Sequence, residues 1–319
     1  MTATPRSMRD EVLFRLHDAM SRDDKLFVVS ADFGAPMLDR IRADFPQRFV
    51  NVGIAEQNLI NVSAGLALEG FSVVAYGIAP FITMRCHEQI RVNLALLSEV
   101  RPMNVMLMGV GAGYSYAVSG PTHQCYEDLT VMRALPNVSL YSPADAATAA
   151  ALAMGGVARQ GIKYLRLDAQ ALPALTPDTP DIARGYRVHH AGRRLCFVAT
   201  GYMVHTALAA AKALEKDGYS VGVVDLFDLT GADFTQLMDT LAPYESVISL
   251  EEGFVGRGGL DALLAERIRC LGAALHFEGL GVAPGYRFDL GPREVLHSKA
   301  GIGLTTVMDR AVALMAGRF

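Results

Sequence analysis

The chain has 319 residues, 51% of them hydrophobic and 19% charged, with 30 Gly, 14 Pro and a formal net charge of -4. That length accommodates two domains, each with its own core. The charge balance and the lack of any Lys/Arg cluster argue against a groove for a nucleic-acid backbone.

From the amino end, "MTATPRSMRDEVLF" lacks the apolar core of a secretory signal. Met8, Val12, Leu16 and Met20 fall at helical spacing, so a helix is expected over 8–20. "KLFVVSAD" (25–32), "FSVVAYG", "MNVMLMGVG" and "IKYLRL" are apolar runs of strand length. Between them, "FITMRCHEQIRVNLALLSEV" and the Ala-rich "ADAATAAALAMGGVA" read as helices. The most apolar of these runs is too short and too Gly-rich to span a bilayer. Alternation of continuous apolar strands with helices implies a mostly parallel sheet covered on both faces. The texture changes at "DAQALPALTPDTPDIARG", with Pro173, Pro177 and Pro180. We therefore expect a first α/β domain over 1–170, a Pro-rich linker over 171–185 and a second α/β domain over 186–319. In the second, "RLCFVATG", "SVGVVDLF", "SVISLEEG" and "ALHFEGLG" are the expected strands. The expected fold class is two consecutive doubly wound, mostly parallel α/β domains. The cysteines Cys86, Cys125, Cys196 and Cys270 have neither C-x-x-C nor metal-ligand spacing. They suit a reduced, cytoplasmic setting and give no metal site.

Three segments carry chemistry. In "GIAEQN" (53–58), Glu56 sits where a glycine-led turn enters a helix. Locally it reads either as a complement to the helix dipole or as a carboxyl placed in apolar surroundings for use. In "FITMRCHEQIR" (81–91), Ile82 and Met84 precede Arg85, Glu88 and Arg91. A helix-start ion-pair cluster explains Glu88 and Arg91 without any site. The third segment is the Gly/Ser/Tyr loop that delivers "GPTHQ", where Gly120–Pro121 sets a turn and His123 follows it. Loops after parallel strands are where ligands bind in open α/β sheets.

In order and spacing, "GIAEQ", "R-x-x-E-Q-I-R", "GPTHQ", "R-x-x-PN", "SPAD" and "YLR" resemble the pyrimidine-binding half of the transketolase and deoxyxylulose-phosphate synthase family. "VVDL" and "ISLEEG…GGLDALLAE" resemble that family's carboxy-terminal domain. The resemblance implies a thiamine-diphosphate enzyme whose cofactor lies between α/β domains. By motif match, Glu56 is the glutamate that shares a proton with the aminopyrimidine ring. His123 stands beside the reacting carbonyl, where an imidazole can donate to a developing alkoxide. Ile82, Met84 and Arg85 fall around the pyrimidine. Arg166 and Arg40 match phosphate-contacting arginines, whose planar fork suits oxyanions; a surface ion pair is the plain alternative for each.

The family's diphosphate and Mg²⁺ are held by a G-D-G motif with a downstream Asn, and this sequence has no G-D-G. The resemblance therefore implies the carboxy-terminal subunit of a split transketolase. A separate partner subunit would carry the diphosphate and Mg²⁺ site, in an α2β2 heterotetramer. Ser119 stands where ordinary transketolases carry an acidic residue that contacts a substrate hydroxyl. This puts a pentose-phosphate substrate in doubt and leaves two alternatives open beside ketol transfer. They are a pyruvate-using, deoxyxylulose-phosphate-synthase-like acyl transfer and the β subunit of a 2-oxo-acid dehydrogenase.

Overall fold

Buried β-branched and Leu/Met-rich strands alternate with helices to build two separate sheets. The computed structural model describes residues 6–177, 179–271 and 275–317. Residues 1–5 and 178, in the expected first domain and linker, and residues 272–274 and 318–319, in the expected second domain, lie outside the described residues. The chain forms two compact units, one of Met1–Ala112, Val131–Tyr141 and Asp145–Pro180, the other of Gly113–Thr130, Ser142–Ala144 and Asp181–Phe319.

The first unit runs α1 (Met8–Met20), β1 (Leu26–Ser30), α2 (Pro36–Asp44), β2 (Phe49–Asn51), α3 (Glu56–Leu68) and β3 (Ser72–Ile78). A helical stretch over 81–96 follows, then β4 (Asn104–Val110), α4 (Asp128–Arg133, whose first three residues belong to the second unit), β5 (Val138–Tyr141), α5 (Ala146–Ala158) and β6 (Gly161–Leu167). The strands form one sheet in the order β2-β1-β3-β4-β6-β5, and every pairing is parallel. All seven residues of β4 are buried, as a central strand covered on both faces requires. Helix α1 matches the expected 8–20, and its N-cap Ser7 Oγ accepts from Asp10 N at 3.2 Å. Asp145 caps α5 by accepting from Thr148 N at 2.9 Å, and it also accepts from Leu175 N and Thr176 Oγ1, which ties down the start of the Pro-rich segment.

The helix expected over 81–100 takes a different form. Phe81–Arg85 and Ile90–Leu96 are π-helical, joined by one α turn at His87–Gln89. Side chains bond back into this stretch: Thr83 Oγ1 donates to Ala79 O at 2.7 Å and Cys86 Sγ to Ile82 O at 2.9 Å. Such bonds occupy carbonyls that would otherwise close regular α turns.

The second unit contains β7 (Tyr186–His190), β8 (Leu195–Ala199), α6 (Met203–Lys216), β9 (Val221–Leu226), α7 (Phe234–Leu241) and β10 (Ser246–Phe254). It continues through α8 (Leu260–Leu271), β11 (His276–Val282), α9 (Arg293–Ala300) and α10 (Leu304–Met315). The sheet order is β11-β10-β8-β9-β7. Among the described strands of this sheet, β7 alone runs antiparallel to its neighbour, β9. The expected fold class, two mostly parallel α/β sheets in succession, is the one observed. No helix among the described residues is long and apolar enough to cross a membrane.

Candidate active site

In the first unit β1 leads outward to β2 while β3 pairs on its other side, so the strand order reverses at β1 and β3. Crevices at such reversals, beyond the carboxyl ends of the strands, are where open α/β sheets bind ligands. Glu56 opens α3 just past the turn that follows β2, at that end of the sheet. Gly53 takes a positive φ of 75°, which a side chain would resist. Ala55, the N-cap, offers no side-chain cap. The first residue of the helix is therefore Glu56, and it is buried.

A buried carboxylate needs a partner, and the chain supplies one from 29 residues away: Arg85 Nη1 donates to Glu56 Oε2 at 2.8 Å. The Arg85 guanidinium also lies 4.3 Å from the centre of the Phe81 ring, a stacking that helps orient it. Next in the chain, the Cys86 thiol is buried, and burial followed by the charge of Glu56 pushes it up to about 12. It remains a neutral thiol beside the carboxylate. Met84 and, two residues before Glu56, Ile54 are exposed apolar side chains, Ile54 at 76%. An anchored carboxylate flanked in the chain by exposed apolar groups suits a flat heteroaromatic ring with a basic nitrogen. The residues present thus fit the aminopyrimidine of thiamine diphosphate.

The turn that presents Glu56 has a support the sequence did not signal. Asn51 Nδ2 donates to Asp32 Oδ1 at 2.9 Å, while its Oδ1 accepts from Asp32 N and Gly53 N. This one side chain ties the loop after β1 to the loop after β2, and Asp32 is held at a φ of 54°, in the left-handed region. An Asn at a strand end is ordinary in sequence, and only the fold reveals which two loops it joins.

The other expected residues of this unit take different places. Ile82 is fully buried, packed against Gly77. Arg40 makes an exposed pair with Asp44 at 3.4 Å. Glu88 pairs with Arg91 at 3.6 Å, as the plain ion-pair reading describes. Arg166 is buried on β6, opposite Gly109 of β4, and is no surface residue.

His123 and Ser119 belong to the second unit. Gly120, with a φ of 77°, opens the turn, and its carbonyl accepts from both His123 N and Gln124 N at 3.1 Å. His123 Nδ1 lies 2.9 Å from Thr122 Oγ1, and its ring meets Tyr116 edge-on at 6.4 Å. Ser119 is exposed. The loop is closed at its base by paired backbone bonds between Gly113 and Cys125, each 3.0 Å.

Residues 6–174 match the transketolase pyrimidine-binding domain, and residues 185–302 match the transketolase C-terminal domain. The chain belongs to the transketolase family. It is the pyrimidine-binding plus C-terminal subunit of a split, thiamine-diphosphate-dependent transketolase-family enzyme. An apulose-4-phosphate transketolase subunit of Actinobacillus succinogenes is 32% identical over 272 residues, covering 85% of this chain and 86% of that protein. A 6-deoxy-6-sulfo-D-fructose transketolase subunit of a Clostridium species is 28% identical, covering 83% and 80%. A solved split-gene transketolase, described as an inactive β4 tetramer, superimposes with a TM-score of 0.83 at 30% identity and covers 96% of both chains. Within this transketolase subunit, segment 113–130 lies inside the stretch matched by the pyrimidine-binding domain yet packs with the second compact unit.

Proposed function

We propose that this subunit binds the aminopyrimidine end of thiamine diphosphate and, with a separate partner subunit, transfers a two-carbon ketol unit between anionic sugars. The observation that carries the reading is the buried Glu56 carboxylate, fixed by Arg85 at a helix start inside the matched pyrimidine-binding domain. When bound, the cofactor supplies the nucleophilic thiazolium carbon. Glu56 holds a proton at the far nitrogen of the aminopyrimidine, and Arg85 keeps its carboxylate in place. The exposed Met84 would offer the ring an apolar contact, and the buried Ile82 belongs to the same helical start. His123 Nε2 donates to the oxygen that gains charge on the substrate carbonyl, and Ser119 contacts a hydroxyl. Arg166 and Arg40 receive the substrate's anionic group.

The partner subunit supplies the diphosphate and Mg²⁺ site, and two copies of each chain form an α2β2 assembly. Ketol transfer is favoured over pyruvate decarboxylation by the two relatives, both named for ketose sugars that carry a phosphate or sulfo group. The test is donor screening of the assembled enzyme. Ketose phosphates should support turnover without gas release; CO₂ released from pyruvate, with no ketose turnover, would overturn the ketol reading.

A further inference from the structure

We infer that Glu252 is a positioning residue: from β10 of the second unit it holds the base of the loop that carries Ser119 and His123. This rests on the placement of His123 in the site.

Carboxylates are rare on fully buried strands, yet "SLEEGF" puts Glu252 on β10 at 1% exposure. Its charge is met by a fork. Arg293 Nε donates to Oε1 at 2.9 Å and Nη2 to Oε2 at 2.6 Å, the bidentate geometry that binds a carboxylate most tightly. His297, one turn further along α9, donates from Nε2 to Oε1 at 2.6 Å. Arg293 is fixed in turn by the Tyr202 ring, 3.7 Å beneath it.

If the network served only to fasten α9 to the sheet, those bonds would complete it. Glu252 Oε1 also accepts from Tyr114 N at 3.3 Å, the first residue inside the loop. The preceding residue, Gly113, has no room for a side chain: a Cβ there would collide with the Glu252 carboxylate. Gly113 also makes the bridge to Cys125 that closes the loop. On the closing side, Tyr126 O accepts from Phe254 N, and the Tyr126 ring packs on Tyr114 and Phe254 at 4.9 and 5.2 Å. Both ends of the loop are thus set by β10 and its Glu252. Inside them, Gly120 and Pro121 make the turn that presents His123. Displacing the base moves an imidazole that must meet its target within about 1 Å to retain full rate.

The test compares wild type with Glu252→Gln and Gly113→Ala. The second variant keeps all three residues Glu252, Arg293 and His297 and forces the loop and the carboxylate apart. Amide hydrogen exchange on the purified full chain should quicken over 113–126 in both variants and stay unchanged in β8 and β9. In the assembled enzyme, kcat should fall about 10- to 100-fold with little change in KM. That loss should vanish when the same substitutions are made in a His123→Ala background. Unchanged exchange over 113–126, exchange that rises across the whole sheet, or a kcat loss that adds fully to that of His123→Ala would each overturn the inference. If His123→Ala alone leaves turnover intact, the functional placement of His123 falls, and the exchange result still decides whether Glu252 holds the loop.

Discussion

Glu56 and Arg85 form a pair whose members differ in exposure, the carboxylate buried and the guanidinium about half open to solvent. Glutamine keeps an oxygen for Arg85 but cannot share a proton with a ring nitrogen. Glu56→Gln should therefore shift unfolding stability by no more than about 1 kcal/mol. Turnover of the assembled enzyme should fall by about 100-fold or more. Urea midpoints and steady-state rates on the same preparations check both halves, and near wild-type turnover would remove Glu56 from the chemistry. Glu252 gives a second residue-scale expectation. Burial opposes its charge, but Arg293 and His297 outweigh burial and hold the carboxyl well below its ordinary value of 4.5. A carboxyl depressed on folding contributes stability that is present above that ordinary value and lost as pH falls below it. Between pH 5 and 3, wild type should lose stability more steeply than Glu252→Gln, as read by denaturant titration at each pH.

At the scale of elements, what was legible depended on whether a pattern is local. Helix α1 was readable from Met8, Val12, Leu16 and Met20, and β4 from its unbroken apolar run, because periodicity and burial are written into adjacent residues. The π-helical turns at 81–96 were not readable, since α- and π-helical turns share an apolar pattern, and the bonds of Thr83 and Cys86 back to the chain appear only in the fold. Nor was the partner of Glu56, which comes from another element, or the Asn51 tie between two loops. The motifs "GIAEQ" and "GPTHQ" marked Glu56 and His123 as candidates, while the groups that steady them had to be found in the fold. Lys163, on β6, is of this kind. It stands inside the apolar run "IKYLRL" and is fully buried. Its ammonium donates to Asn104 Oδ1, to Arg159 O at 2.5 Å and to Gly161 O at 2.8 Å, so all its donors are used. Burial, and then the nearby charge of Arg159, push it down to about 7. Lys163→Met should cost about 2 kcal/mol or more at neutral pH, because three buried acceptors lose their donor. The unfolded chain binds the extra proton between about 7 and 10.5, so wild type should gain stability relative to Lys163→Met as pH rises through that window. A constant difference between pH 7.5 and 9.5 would show that Lys163 does not titrate on unfolding.

At the scale of the molecule, each unit displays large apolar side chains to solvent. The first exposes Ile54, Leu96 and Val100, and the second exposes Val118, Tyr286, Phe288 and Leu290. A split enzyme needs exposed apolar surface to bind the chain that completes its site. In the proposed function Glu56 holds one end of the cofactor, and the other end is a diphosphate. Among the described residues no cluster of His, Cys, Asp or Glu could hold a metal ion. Anchoring at the pyrimidine alone leaves the charged end without its cation, so the chain by itself should bind thiamine diphosphate weakly and with no response to Mg²⁺. Addition of the partner subunit should create tight binding that requires Mg²⁺, together with ketol-transfer activity. Calorimetric titration of the purified chain with and without an excess of partner, at fixed and then zero Mg²⁺, separates the cases, since a hundredfold change in affinity corresponds to about 2.7 kcal/mol. Tight, Mg²⁺-dependent binding by the chain alone would mean that the diphosphate site is built from its own residues, and the division of the active site between two chains would have to be abandoned.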